Sequence, residues 1–149
     1  MVCEPLAGKR RVFVKENHNR LNWAEVIRVI AEEMYPTAKK ITIVEDHLAA
    51  PKPSALYEIM PAEQARAILR RLEFVPTPKH GSWLNVAEIE LGLLKRIGIA
   101  SRVGSREELE RQVEAYQKAR NAKQVKIDWH FTTTDARVKL KRLYPSIQS

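Results

Sequence analysis

The sequence predicts an α/β fold, a sheet flanked by helices, and three observations lead there. Short β-branched runs alternate along the chain with stretches whose apolar residues recur at helical spacing. The runs close on charged or turn-forming residues, as strand ends do. Finally, 149 residues with 44% hydrophobic positions are enough for one core, since a chain of this length buries about 70% of its unfolded surface. Alternating strands and helices favour parallel pairing, which places ligands near the carboxyl ends of the strands. Neither an internal repeat nor an evident linker divides the chain, so residues 1–149 are taken as one domain with a basic helical segment from about residue 105.

The elements follow in order. Arg10 to Lys15 suggests a strand carrying Val12, Phe13 and Val14 between basic residues. Asn22, with Glu25 three positions on, has the form of a helix-capping box, and Trp23, Val26, Ile27, Ile30 and Met34 hold helical spacing until Pro36 forbids continuation. Ile41-Thr42-Ile43-Val44 is suited to a buried strand and ends in Glu45-Asp46. Helical pattern resumes over Ser54 to Ile59 and again from Pro61, where Ala65, Ile68, Leu69 and Leu72 share a face. Glu73-Phe74-Val75 suggests another strand. Pro76, Pro78 and Gly81 then punctuate a loop into a helix beginning near Trp83. Ser105 with Glu108 caps a further helix bearing Leu109, Val113 and Tyr116. Alternation of Ile127, Trp129 and Phe131 with polar residues suggests an extended segment, followed by a basic helix from about Thr134 to Tyr144.

Composition narrows the function classes. Lys and Arg number 26 against 18 Asp and Glu, a formal charge of +8. The surplus accumulates late: Lys118, Arg120, Lys123, Lys126, Arg137, Lys139, Lys141 and Arg142 face only Asp128 and Asp135. Such clustering suits a polyanion, because neutralised phosphates release condensed counterions; a solvated basic face is the other reading. The lone Cys3 excludes an internal disulfide. No apolar stretch approaches the ~20 residues a bilayer requires, and no secretory leader pattern follows Met1, so no membrane partner and a cytoplasmic location are expected.

Two acids stand out. Asp46 follows a strand and precedes a helix, which places it at a sheet rim; an Asp there can also serve only as a turn or helix cap. On the next long helix Asn85, Glu88, Gly92 and Lys95 form a narrow polar strip, with Leu84, Ala87, Leu91 and Leu94 on one side and Ile89 and Leu93 on the other. A carboxylate confined between apolar walls is costly unless it pairs, with Lys95 for example, or binds a metal.

The stretch Pro76-Thr77-Pro78-Lys79-His80-Gly81-Ser82-Trp83-Leu84-Asn85-Val86-Ala87-Glu88-Ile89-Glu90 resembles the signature around the last catalytic acid of bacterial insertion-sequence transposases related to mariner elements, members of the DDE endonuclease superfamily. Glu4-Pro5-Leu6-Ala7-Gly8, Tyr35-Pro36, Arg120-Asn121, Ile127-Asp128-Trp129, Phe131-Thr132-Thr133 and the run from Asp135 to Pro145 resemble that family too, in its order. The resemblance implies a ribonuclease-H-like fold that cuts DNA and joins strands with two magnesium ions. By motif position Asp46 would be the second acid, bridging both ions, and Glu88 the third, with 41 residues between them. Hard divalent cations prefer oxygen ligands, and a pair about 4 Å apart can activate the attacking oxygen of water or a 3′-hydroxyl while stabilising the leaving one. Lys79, His80, Trp83, Asn85, Arg120, Lys139 and Arg142 would lie near DNA, both transposon ends and target. For His80 a satisfied loop histidine, and for Trp83 core packing, are the competing readings.

Departures from the family pattern matter equally. After Asp46 the chain has His47-Leu48-Ala49-Ala50-Pro51 where the family usually shows Asn-Leu-Asn-Thr-His. Only Met1-Val2-Cys3 precede Glu4-Pro5-Leu6-Ala7-Gly8, whereas the family's first catalytic Asp lies upstream of that segment, and no acid of this chain takes its place. The expectation is a partial ribonuclease-H-like fold, a mixed sheet flanked by helices, that lacks its first, central strand. Such a chain would expose the edge of the strand leading to Asp46. A truncated or split transposase, completed by an upstream fragment or by self-association, is the first expectation; a non-catalytic DNA-binding or oligomerising remnant is the alternative.

Overall fold

The computed structural model describes residues 1–45, 53–77, 86–99, 102–126 and 132–139, without the side chains of residues 133, 136 and 139. The chain begins with a strand absent from the sequence reading, β1 (Val2–Glu4), paired antiparallel with β2 (Lys9–Arg11) so that Cys3 lies opposite Arg10. Expected to run to Lys15, β2 stops at Arg11. The Val12 N–H donates instead to Oε1 of Gln117 at 2.8 Å, and Val12 and Val14 pack against a hydrophobic cluster rather than a neighbouring strand. The hairpin turns through Gly8 at φ +65°, a left-handed conformation that only glycine adopts at little cost.

Helix α1 (Arg20–Val29) starts two residues before the predicted capping box. Asn19 is the cap, its Oδ1 accepting from the Asn22 N–H at 2.8 Å, while Glu25 is engaged by Arg28 at 2.8 Å. Local donors at the first turn decide which asparagine caps, and Asn19 is placed to accept from the third helical N–H. The helix continues as a π-helical turn over Ile30–Met34 and ends at Tyr35 before Pro36. Arg71 satisfies the carbonyls released there, donating from Nε to Ala38 O at 2.7 Å, from Nη1 to Ala31 O at 3.2 Å, and from Nη2 to Tyr35 O. A helix end otherwise leaves such acceptors unpaired.

Strands β3 (Ile41–Glu45) and β4 (Leu72–Pro76) pair in parallel, Ile43 opposite Phe74. Between them a 3₁₀ turn, Pro53–Ala55, leads into α2 (Leu56–Ile59) and α3 (Ala62–Leu69). Ala24, Ile27, Ile30, Ala55, Leu56, Ala65 and Ile68 form the main core, with Ile41, Ile43, Leu72 and Phe74 packed on it. β3 is therefore half-buried rather than buried as expected. Thr42 faces outward, and Val44 is 61% exposed, because nothing among the described residues covers the second face of the parallel pair.

A second cluster joins the carboxyl-terminal helices. α4 (Val86–Leu93) continues as a π-helical turn over Leu94–Gly98, and α5 (Arg106–Ala122) packs Val113 and Tyr116 against Leu94. Ser105 caps α5 as expected, its Oγ accepting from the Glu108 N–H at 3.1 Å. α6 (Thr133–Lys139) begins with a reciprocal box: the Thr132 N–H donates to Asp135 Oδ2 at 2.9 Å and the Asp135 N–H to Thr132 Oγ1 at 3.1 Å. The extended segment expected around Trp129 lies outside the described residues. Among the described residues, one antiparallel hairpin, one parallel pair and flanking helices make a mixed α/β arrangement, consistent with a partial ribonuclease-H-like fold.

Candidate functional site

Of the residues singled out in the sequence, Asp46, Lys79, His80, Trp83, Asn85 and Arg142 lie outside the described residues, and Lys139 is described only as part of the α6 backbone. Glu88 and Arg120 are in view. β3 delivers the chain toward Asp46, and its end is tied to β4 by the Thr77 N–H donating to Glu45 O at 2.8 Å. Glu45 turns inward, accepting from Trp23 Nε1 at 3.0 Å, while its Oε2 is buried with no hydrogen bond among the described residues. Burial holds this carboxyl above the usual carboxylate range, against the opposing pull of the Trp23 hydrogen bond.

Glu88 leaves the first turn of α4 toward solvent. It is not confined between apolar walls as the sequence reading expected, since its neighbours Ile89 and Leu91 are exposed as well. Among the described residues it has no ion-pair partner, Lys95 included. The reason is the helix rotation: the buried meridian of α4 runs through Glu90 and Leu94, four residues apart, so the position two before Glu90 faces the other way.

Glu90 is the buried acid, at 1% exposure. Arg120 Nη2 approaches its Oε1 at 2.7 Å and Arg10 Nε its Oε2 at 3.1 Å, and the Tyr116 hydroxyl donates to Oε2 at 3.3 Å. The two arginines are held in turn. Asn121 brackets the Arg10 backbone, accepting from its N–H at 2.9 Å and donating to its carbonyl at 2.9 Å, and Arg10 Nη2 donates to Val125 O at 2.8 Å. The Arg120 guanidinium stacks 5.7 Å from the Tyr116 ring centre. Burial pushes the Tyr116 hydroxyl up, helped by the Glu90 charge beside it. Sequence reasoning passed over Glu90, although a signal existed: the residues three and four positions away on either side, Val86, Ala87, Leu93 and Leu94, are all apolar.

Arg120, expected near DNA, thus gives its guanidinium to Glu90 and keeps a side-chain exposure of 19%. With Lys123, Ile97, Tyr116 and Val125 it lines an open groove of about 490 Å³ beside α5. Among the described residues no group of three or more His, Cys, Asp or Glu side chains could hold a metal ion. Glu88 is an accessible carboxylate with no competing cation among the described residues, and a carboxylate oxygen is the ligand type that hard divalent cations prefer. No helix among the described residues is long and apolar enough to cross a membrane.

Residues 1–110 match the family described as DDE superfamily endonuclease. No curated protein and no solved structure matches the chain.

Proposed function

The chain belongs to the DDE superfamily endonucleases, and on that premise we propose that it serves DNA transposition of the mariner-related insertion-sequence kind, by cleavage and joining of phosphodiesters. The observation that carries the reading is the presentation of Glu88: an accessible carboxylate without an ionic partner among the described residues, on a helix of the matched segment whose opposite side is anchored in the core. In this reading Asp46 and Glu88 are the acids that hold magnesium. The metal pair, when bound, supplies activation of the attacking oxygen and neutralisation of charge on the leaving one. The protein's own part is to bring a carboxylate from the end of β3 and one from α4 to a common rim and to hold the DNA backbone there.

DNA, both element ends and target, is the partner. Lys79, His80, Trp83, Asn85, Lys139 and Arg142 are the proposed contacts, with Arg120 adding its remaining exposed surface. The chain works in the cytoplasm in this proposal. An additional strand, from an upstream transposase fragment or from a second copy of this chain, docks beside β3, where the edge opposite β4 is unpaired among the described residues and Val44 stands exposed. A non-catalytic role in DNA binding or oligomerisation is favoured by one observation, the withdrawal of Arg10, Glu90 and Arg120 into a structural network that needs no metal.

The test is nicking of plasmid DNA carrying the element ends, in magnesium, with and without the upstream fragment. Cleavage that is lost in Asp46→Ala and in Glu88→Ala is the expected result. Cleavage that survives both substitutions overturns the assignment, and DNA retardation without any cleavage supports the non-catalytic role.

A further inference from the structure

We propose that α5 is a positioning element for Glu88: acting through Glu90, it fixes the rotation of α4 and so the direction in which the Glu88 carboxylate leaves the helix. Arg120, Tyr116 and Asn121, the α5 residues that do this, all lie beyond the segment that matches the family, residues 1–110.

The argument is geometric. At 3.6 residues per turn, positions 88 and 90 are separated by about 200° around the helix. Whatever holds 90 inward therefore holds 88 outward. An apolar contact such as that of Leu94 permits a helix to roll, because dispersion contacts are not directional. A carboxylate gripped from two sides by charge-assisted contacts does not roll, because each contact prefers one line of approach. Glu90 is gripped in this way, with Arg120 hydrogen-bonded to one oxygen at 2.7 Å and the Tyr116 hydroxyl donating to the other at 3.3 Å, while Arg10 Nε adds its charge at 3.1 Å without a hydrogen bond.

All three contacts trace back to α5. Arg120 is part of that helix and is stacked against its Tyr116. Arg10 is on β2, yet its backbone is bracketed by Asn121 and its Nη2 is held by the Val125 carbonyl just past the helix end. Gly8 allows this approach, since a Cβ there would stand 2.5 Å from the Gln124 carbonyl carbon. Stability alone gives no reason for the arrangement. Two buried charges, Arg10 and Glu90, with two guanidinium atoms of Arg10 lacking hydrogen bonds, are often no better than well-packed apolar residues, whereas a buried ionic group can select one arrangement among several.

The proposal rests on the reading of Glu88 as a functional acid, but the rotation it describes can be measured separately. In the full chain, with Cys3→Ser and Glu88→Cys, a nitroxide at position 88 reports its accessibility to a water-soluble nickel chelate, and a nitroxide at Glu110 serves as a control on α5. Glu90→Gln and Arg120→Met should each reduce accessibility at 88 and leave 110 unmoved, and Arg120→Lys, which keeps the charge, should restore most of the signal. Unchanged accessibility at 88 in folded Glu90→Gln and Arg120→Met overturns the proposal. So does loss of helical circular dichroism in all three variants, because the network would then hold the whole fold and not the rotation of one helix. In parallel, nicking by chains that retain Glu88 should require more magnesium in Arg120→Met than in Arg120→Lys. A label that moves as expected while nicking ignores Glu88→Ala would leave the positioning intact and remove the catalytic reading.

Discussion

Two identical chemical changes, glycine to alanine, should act in opposite directions in this protein. Gly8 turns the hairpin at φ +65°, and a Cβ built on it would sit 2.5 Å from Gln124 C and 2.6 Å from Gln124 O, both backbone atoms. Gly92 lies within α4, and a Cβ there meets nothing within 4 Å. For Gly8→Ala the left-handed backbone costs about 1–2 kcal/mol. Backbone atoms cannot rotate out of the way, so the hairpin must lift from the end of α5, an overpacking cost of about 1–3 kcal/mol. Together these make about 2–5 kcal/mol of destabilisation. For Gly92→Ala the lost flexibility of the unfolded chain should instead stabilise by about 0.5–1 kcal/mol. Urea unfolding followed by circular dichroism reads both: with a slope of about 2 kcal/mol/M, Gly8→Ala should lower the midpoint by about 1–2.5 M and Gly92→Ala raise it by a few tenths. A Gly8→Ala midpoint equal to that of the parent would refute the contact between hairpin and α5. A lowered midpoint for Gly92→Ala would refute the outward placement of that face of α4, and with it the exposure of Glu88.

Three further outcomes are expected. Glu90→Leu alone should cost about 3–5 kcal/mol by leaving the buried Arg10 guanidinium and the partly buried one of Arg120 without their carboxylate, and adding Arg10→Met and Arg120→Met should recover most of it; urea midpoints of the single and triple variants check this, and a triple variant no more stable than the single one would contradict it. The Cys3 thiol is pushed above its ordinary value first by burial and next by the Glu90 charge, with Arg10 pulling the other way. Removing that negative charge in Glu90→Gln should therefore lower the thiol's pKa, increase its thiolate fraction at pH 8, and speed alkylation by iodoacetamide. Val44 is 61% exposed and Val75 39% on the uncovered face of the parallel pair, so the chain should associate as its concentration rises and Val44→Lys should weaken that association; sedimentation showing a monomer throughout the concentration series would oppose it.

Some of the molecule is legible from local sequence because its causes are local. The strands at Ile41 and Glu73 and the helix from Ser105 were all visible in short apolar runs, in a capping serine and in apolar residues at helical spacing, since each depends on residues a few positions apart, although Leu72, expected on the face of the preceding helix, is the first residue of β4. The family resemblance was legible for a similar reason: the stretch from Pro76 to Glu90 is contiguous. What failed were boundaries and burial. The cap of α1 moved from Asn22 to Asn19, β2 shortened, and β3 proved open on one face, because each of these depends on what packs alongside.

The carboxylates of α4 divide the two kinds of knowledge most sharply. That Glu88 and Glu90 share one helix, two residues apart, follows from order along the chain and helical periodicity. Which of them is buried was decided by Arg10, 80 residues before Glu90, and by Arg120, 30 residues after it. A helix can expose either meridian at similar local cost, and only the arrival of two guanidiniums from separate elements makes the interior favourable for one acid and solvent favourable for the other.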